Sequence, residues 1–558
     1  MRGADLAVLA AYFLTMIGVG VAYARHMKSL DLYFAGGKQL PWWLAGVSLV
    51  MSYVSALSIV VYAGLGYRYG FVALTIYWTT VPATLAITWL LARRWRRAGI
   101  ITPVEFLETR FSPAVRQVFA WSGIPLKVID EGLKIVAIGI FVAAGLRISP
   151  YKAMALVGLI ALVYTVLGGL WATVITDFVQ FVLVTTAILL LVPLALGRAG
   201  GWRGFLAKVP AGFLHPVGGP YPWTYIGAFL ILSALSLAGN WSLIQKFYSA
   251  RSDAECRGVG WLASAIFFLL PPAWILTGMF ARAFIPAAGI DPQSIYARVS
   301  YNLLPPGMFG LIVAALFAAT MSVLSSGYNV TAAVLTVDVY QRWIHPQASQ
   351  RELVVVGRIL TAVVALAALG IGVLVTAYHW TIFDTMVTVF GFFLPPTVLP
   401  VLAGLLSRRL SAHGALAGFF VGIGLGLGFL VYKWLFRPPD LGAFQAASIV
   451  IPALATALVL VAAARWFPAR GEAEARAAAF FARLERPTAP AERPVASPAP
   501  IAGVVILIMG LALLTMGSGS FGASLSWLTL ATGCFFAALG LIMVLAKRGK
   551  QPTGDDNI

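Results

Sequence analysis

Apolar runs of about 20 residues follow one another along nearly the whole of this 558-residue chain. A helix of that length crosses a hydrocarbon layer of ~30 Å. Only 11% of the residues are charged while 60% are hydrophobic, against roughly 25% charged in a soluble domain, whose surface needs them. The pattern predicts an all-α polytopic membrane protein with about 15 spans, centred on residues 6–25, 42–68, 72–92, 117–146, 150–169, 172–197, 223–243, 258–285, 306–338, 354–378, 382–406, 413–435, 444–465, 500–517 and 524–546. The first run is long for a signal-peptide core and reads as a retained helix. Between the last pair of spans and the rest lies the longest polar segment. Residues 471–486 are charged and Ala-rich and predict a surface helix, and residues 487–500 are Pro-rich and predict an extended linker.

The formal net charge of +19 would suggest a nucleic-acid partner in a soluble protein. Here the cations sit in short loops between spans, so the lipid bilayer is the expected partner and nucleic acid is not. With the N-terminus outside, the inner loops hold Arg25 and Lys28, the run of arginines at 93–97, Lys246, Arg251, Arg257, Arg342, Arg408, Arg409 and Lys547, while the outer loops hold few cations. That arrangement satisfies the positive-inside rule, predicts an integral plasma (inner) membrane protein and puts the C-terminus in the cytoplasm. Cys256 and Cys534 are too far apart in sequence to form a metal spacing, and the five histidines lie at or near loops. Neither set gives a nucleophile–base or transition-metal constellation, so the chain is expected not to be an enzyme.

Polar groups within the spans carry the functional signal. Residues 47–66, VSLVMSYVSALSIVVYAGLG, contain four serines, and residues 316–329, LFAATMSVLSSGYN, place Ser322, Ser325 and Ser326 on one helical face. Interrupted, hydroxyl-rich helices in lipid belong against protein or a cavity, and in transporters they mark substrate and ion sites; close helix packing is the competing explanation. In the fourth span Lys127, Asp130, Glu131 and Lys134 share one face. They read either as a self-paired ladder, Lys127 with Glu131 and Asp130 with Lys134, or as a substrate contact in which Lys134 engages a carboxylate or Asp130 an amine or hydroxyl.

Four stretches resemble the sodium:solute symporter family, which includes sodium/glucose, sodium/proline and sialic acid symporters: residues 164–180, YTVLGGLWATVITDFVQ; 244–258, IQKFYSARSDAECRG; 318–340, AATMSVLSSGYNVTAAVLTVDVY; and 404–418, GLLSRRLSAHGALAG. The shorter ITPVEFLETRF from Ile101 also fits, whereas Phe419 and Phe420 fit the end of the last signature poorly. The resemblance implies a ten-helix core of five plus five spans in inverted repeat, and symport of a small organic solute by alternating access, driven by sodium. A proton-coupled symporter of the same fold and a solute sensor are the alternatives.

The resemblance also implies sites. One sodium would lie on the carbonyls of Met51, Val54 and Ala319 and the hydroxyl of Ser322. The hydroxyl many members carry at the next position is replaced by Val323. A further ion site would use Ser322, Ser325, Ser326 and Asp177, with proton carriage by Asp177 as the alternative. For the solute, the matching positions are Tyr53 and Ser55 in the second-span break, Tyr77 early in the third span and Ser236 in the seventh, together with Asp130 and Lys134. The substitutions at Tyr53, Tyr77 and Ser236 weaken a sugar assignment. The expected organisation is an extra helix over 1–40, the transport core over 41–411, two further helices over 412–466, the linker over 467–500 and a transmembrane hairpin with its tail over 501–558.

Overall fold

The computed structural model describes residues 3–24, 40–98, 103–165, 170–286, 289–305, 307–436, 438–486, 499–519 and 526–545. The Pro-rich segment, the paired glycines at 168–169 and the basic residues flanking the first and last spans lie outside the described residues. Within them the chain is helical, with two isolated β-bridges and no strand. The helices are α1 Gly3–Ala24, α2 Trp42–Met51, α3 Ala56–Tyr69, α4 Val72–Trp78, α5 Thr80–Leu90, α6 Ala92–Arg97, α7 Pro103–Arg110, α8 Pro113–Leu146, α9 Pro150–Thr165, α10 Leu170–Ala199, α11 Gly201–Lys208 and α12 Trp223–Gly239. They continue with α13 Trp241–Tyr248, α14 Asp253–Leu269, α15 Pro271–Ala281, α16 Ile295–Leu303, α17 Met308–Val334, α18 Gln350–Ala377, α19 Ile382–Leu406, α20 Ala412–Phe436, α21 Leu441–Trp466, α22 Glu472–Glu485, α23 Ala499–Gly519 and α24 Ser526–Leu545. Eight helical stretches among the described residues are long and apolar enough to cross a membrane, or ten when two bent pairs each count as one span. The charged stretch after 471 forms α22, as its composition predicts.

Local chemistry sets many of the boundaries. Ser252 and Ser349 stand at the N-termini of α14 and α18 and accept from the amides of Glu255 and Glu352, three residues on, in the Ser-x-x-Glu pattern of a capping box. Ser112 caps α8 in the same way, with Pro113 at its first position, where a missing N–H has no consequence. The second span is broken. Ser55 is extended, at φ −139° and ψ 178°, so the helical ladder cannot pass through it, and α2 and α3 meet at 63° across residues 52–55. A second interruption falls at Asn240, whose ψ of 113° separates α12 from α13 inside what reads in sequence as one apolar run. By contrast, α17 runs unbroken through its serines and widens into a π-helix only at Leu335–Ile344. Its hydroxyls do not break it: Ser325 Oγ donates to the Ser322 carbonyl of the same helix at 3.3 Å, while Ser322 Oγ is directed to another helix.

The broken helices pack at the centre. Gly278 of α15 lies so close to α3 that a Cβ there would stand 2.0 Å from the Ala63 carbonyl, which locks the two helices backbone to backbone. Helix α17 is held at one end by α1: Asp5 Oδ1 accepts from the amides of Gly307 at 2.9 Å and Gly310 at 3.0 Å. Those amides have no partner within a helix, and a carboxylate there also complements the helix dipole. Asp5→Ala is expected to cost ~1–2 kcal/mol, read as a lowered thermal midpoint, with Asp5→Asn losing less because it keeps an acceptor. An unchanged midpoint for the alanine variant would show that the cap contributes nothing.

At the opposite end of the bundle, charged groups tie helices together. Arg116 donates to Asp338 at 2.9 Å and pairs with Glu108. Arg97 Nε donates to Asp253 at 2.8 Å, and Arg96 donates to the carbonyls of Ala250 and Arg251. Arg110, 2% exposed, donates to the carbonyls of Gly404, Ser407 and Leu410, where α19 ends. Burial brings its guanidinium down to about 10, so it stays charged at neutral pH.

Candidate ion and solute site

The break between α2 and α3 faces α10 and α17. Asp177, on α10, is fully buried. Its carboxylate accepts from two hydroxyls on different helices: Ser48 Oγ of α2 reaches Oδ2 at 2.5 Å, and Ser322 Oγ of α17 reaches Oδ1 at 3.0 Å. Lys246 of α13, also buried, is the cation that acts electrostatically on Asp177. Close by, the Ala56 amide at the start of α3 donates to Thr320 Oγ1 at 3.0 Å, so α17 supports the broken helix directly. Met51 ends α2, Val54 lies in the break and Ala319 precedes Thr320; all three are buried.

A buried carboxylate with two hydroxyls on it supplies oxygen donors of the kind a hard cation takes. Ser322 and Asp177 meet as the sequence suggests. Ser325 turns to its own helix, and Ser326 lines a cavity of about 20 Å³ with Ser52, Lys134, Asn240 and Gly327, enough for one water-sized body. Ser48 and Thr320 were not singled out from sequence. Ser48 belongs to the serine-rich second span, but only its contact across 129 residues distinguishes it from its neighbours.

The candidate solute residues begin within the break itself. Tyr53 meets Phe267 edge to face at 5.5 Å and interacts with Ser236 and Asp130. Ser55 is buried at the start of α3. Tyr77 is buried edge to face against Tyr62 at 4.8 Å and Trp274 at 5.6 Å. From Tyr62 an aromatic chain continues through Phe383 to Tyr221 and Phe229 and closes the bundle at the end where α3 finishes.

The charge ladder on α8 keeps the expected Asp130–Lys134 rung but not the Lys127–Glu131 one. Lys134 Nζ binds both Asp130, at 2.8 Å, and Glu131, at 3.1 Å, while Lys127 approaches Asp130 at 3.8 Å rather than Glu131. The reason is crowding: a Cβ at Gly327 of α17 would stand 2.0 Å from Glu131 Oε1, so α17 presses that carboxylate toward Lys134. The ammonium is thus shared between two acids.

The chain as a whole is similar to known proteins. The family model described as "Sodium:solute symporter family" matches residues 33–422. Sodium/glucose cotransporter 4 of Danio rerio is 26% identical over 79% of this chain and 74% of its own length. Sodium/myo-inositol cotransporter 2 of Sus scrofa is 26% identical over 79% and 71%. A solved Na+-coupled sialic acid symporter superposes with a TM-score of 0.71 at 20% identity, covering 84% of this chain and 99% of that one, a likeness of fold. A broken helix facing a buried carboxylate and a hydroxyl-bearing helix, within a match that spans most of the chain, identifies a member of the sodium:solute symporter family, a multi-pass membrane protein that couples solute transport to sodium.

Proposed function

We propose that the chain carries a neutral polyhydroxylated solute, a sugar or cyclitol, together with sodium by alternating access. The observation that carries the ion half of this reading is Asp177 bridging Ser48 and Ser322 beside the break. Sodium would be taken by Asp177 and Ser322, with Ser48, the carbonyls of Met51, Val54 and Ala319, and Ser325 and Ser326 as neighbouring oxygens. The solute would lie between Tyr53, Ser55, Tyr77, Ser236 and Asp130. Because Lys134 is shared by two carboxylates, it has little capacity left for a carboxylate on the solute, while acceptor oxygens and aromatic faces suit hydroxyl donors. The names of the relatives, sodium/glucose and sodium/myo-inositol cotransporters, point the same way.

The architecture supports two inverted halves within residues 41–411. The interruptions at residues 52–55 and at Asn240 open the first and sixth spans of a ten-span core, the corresponding positions of two five-span repeats. The charge pattern supports an N-terminus outside and a C-terminus inside the plasma membrane, with 501–558 as an accessory hairpin. Proteoliposomes with an inward sodium gradient are expected to accumulate labelled hexose or inositol several-fold over a choline control. Accumulation of sugar acids or amino acids with no uptake of neutral polyols would overturn the solute assignment and leave the ion assignment intact.

A further inference from the structure

A cavity of about 800 Å³ opens where α5 and α19 end, and none of its lining residues belongs to the broken helices. Its polar wall holds the guanidinium groups of Arg93, Arg94, Arg97, Arg257 and Arg408 against the carboxylate of Glu485. Three of these cations are engaged: Arg97 on Asp253, Arg94 on the Leu405 carbonyl at 2.7 Å, and Arg408 on Glu485. The other two are not. Arg93 makes no ion pair among the described residues, and Arg257 Nε is a buried donor with no hydrogen-bond partner there.

The opposite wall is apolar and open. Trp89 is 76% exposed, and Leu90 and Leu406 are each 47% exposed. They stand at the ends of the apolar stretches Val72–Leu90 and Ile382–Leu406, the depth at which tryptophan marks a membrane interface. The floor is built by α22, which is docked rather than loose: Arg97 donates to the Leu484 carbonyl, Arg476 to the Phe111 carbonyl at 2.6 Å, and Phe481 lies over the Arg110 and Arg408 guanidinium groups.

We propose that this cavity binds the headgroup of an anionic glycerophospholipid of the cytoplasmic leaflet, with its acyl chains lying along Trp89 and Leu406. A free phosphate would satisfy the arginines but leave the exposed apolar wall without a role; a lipid uses both, and guanidinium forks match phosphate oxygens. Basic pockets at the cytoplasmic ends of spans recognise anionic headgroups in this way. The inference does not depend on which solute is carried.

The test is thermal unfolding of the full-length purified protein in detergent with phosphatidylglycerol, with phosphatidylcholine of the same chains, or with inorganic phosphate. A ligand of the native state raises its midpoint. Phosphatidylglycerol is expected to raise the midpoint by several degrees more than phosphatidylcholine, and the pair Arg93→Gln with Arg257→Gln to remove most of that increment. Should the pair fold poorly, Arg93→Gln alone, which breaks no ion pair, is expected to weaken the apparent lipid affinity at least threefold. Equal effects of the two lipids, an increment untouched by the variants, or full reproduction of it by inorganic phosphate would each overturn the proposal.

Discussion

Asp177→Asn is expected to raise the sodium concentration for half-maximal uptake tenfold or more while leaving the solute's apparent affinity at saturating sodium within about threefold. The substitution keeps the shape and the contacts to Ser48 and Ser322, because a hydroxyl that donates to a carboxylate can turn to accept from an amide. What it removes is the negative charge. A tenfold change is ~1.4 kcal/mol, modest beside the roughly 4 kcal/mol that two unit charges at 4 Å exchange near a protein surface. Uptake measured across a sodium series with the solute held fixed reads the effect. An equal loss at every sodium concentration would mean that Asp177 holds helices together and does not meet the ion.

The other large effect concerns Lys134. Lys134→Met leaves Asp130 and Glu131 side by side with only Lys127, at 3.8 Å from Asp130, to offset them. Removing one partner from a buried ion cluster costs ~3–5 kcal/mol, and Glu131 already has a buried oxygen, Oε2, without a hydrogen-bond partner. The variant is expected to lose several degrees of thermal stability, and Lys134→Met with Glu131→Gln to recover much of it. A Lys134→Met protein of normal stability that no longer binds solute would assign Lys134 to the solute after all.

Much of the fold was legible because bilayer and backbone impose simple rules. Runs such as 382–406 have the length and polarity of a helix in lipid, and the structure places a helix at Ile382–Leu406. The break near Tyr53 was legible through the family resemblance, while the four serines in its apolar run marked a span that must meet protein. The break at Asn240 was not: one polar residue between Gly239 and Trp241 barely lowers hydropathy, and only its extended ψ ends the helix. The ion cluster divides in the same way. Asp177 stands out as a carboxylate in an apolar run, whereas Ser48 gains its meaning from a partner 129 residues away. The ladder on α8 was legible as a set, and so was its Asp130–Lys134 rung; the partner of Glu131 was not, because Gly327 of another helix packs against that carboxylate.

Helix α17 is fastened at both ends. Asp5 grips its first amides, and Arg116 grips Asp338 in its π-helical tail. Halfway between these clamps it carries Ser322, one half of the ion cluster; the other half, Ser48, rides on the short helix that stops at the break. In the proposed cycle an ion bound between them would act as a latch, holding the short helix against the braced one until it leaves.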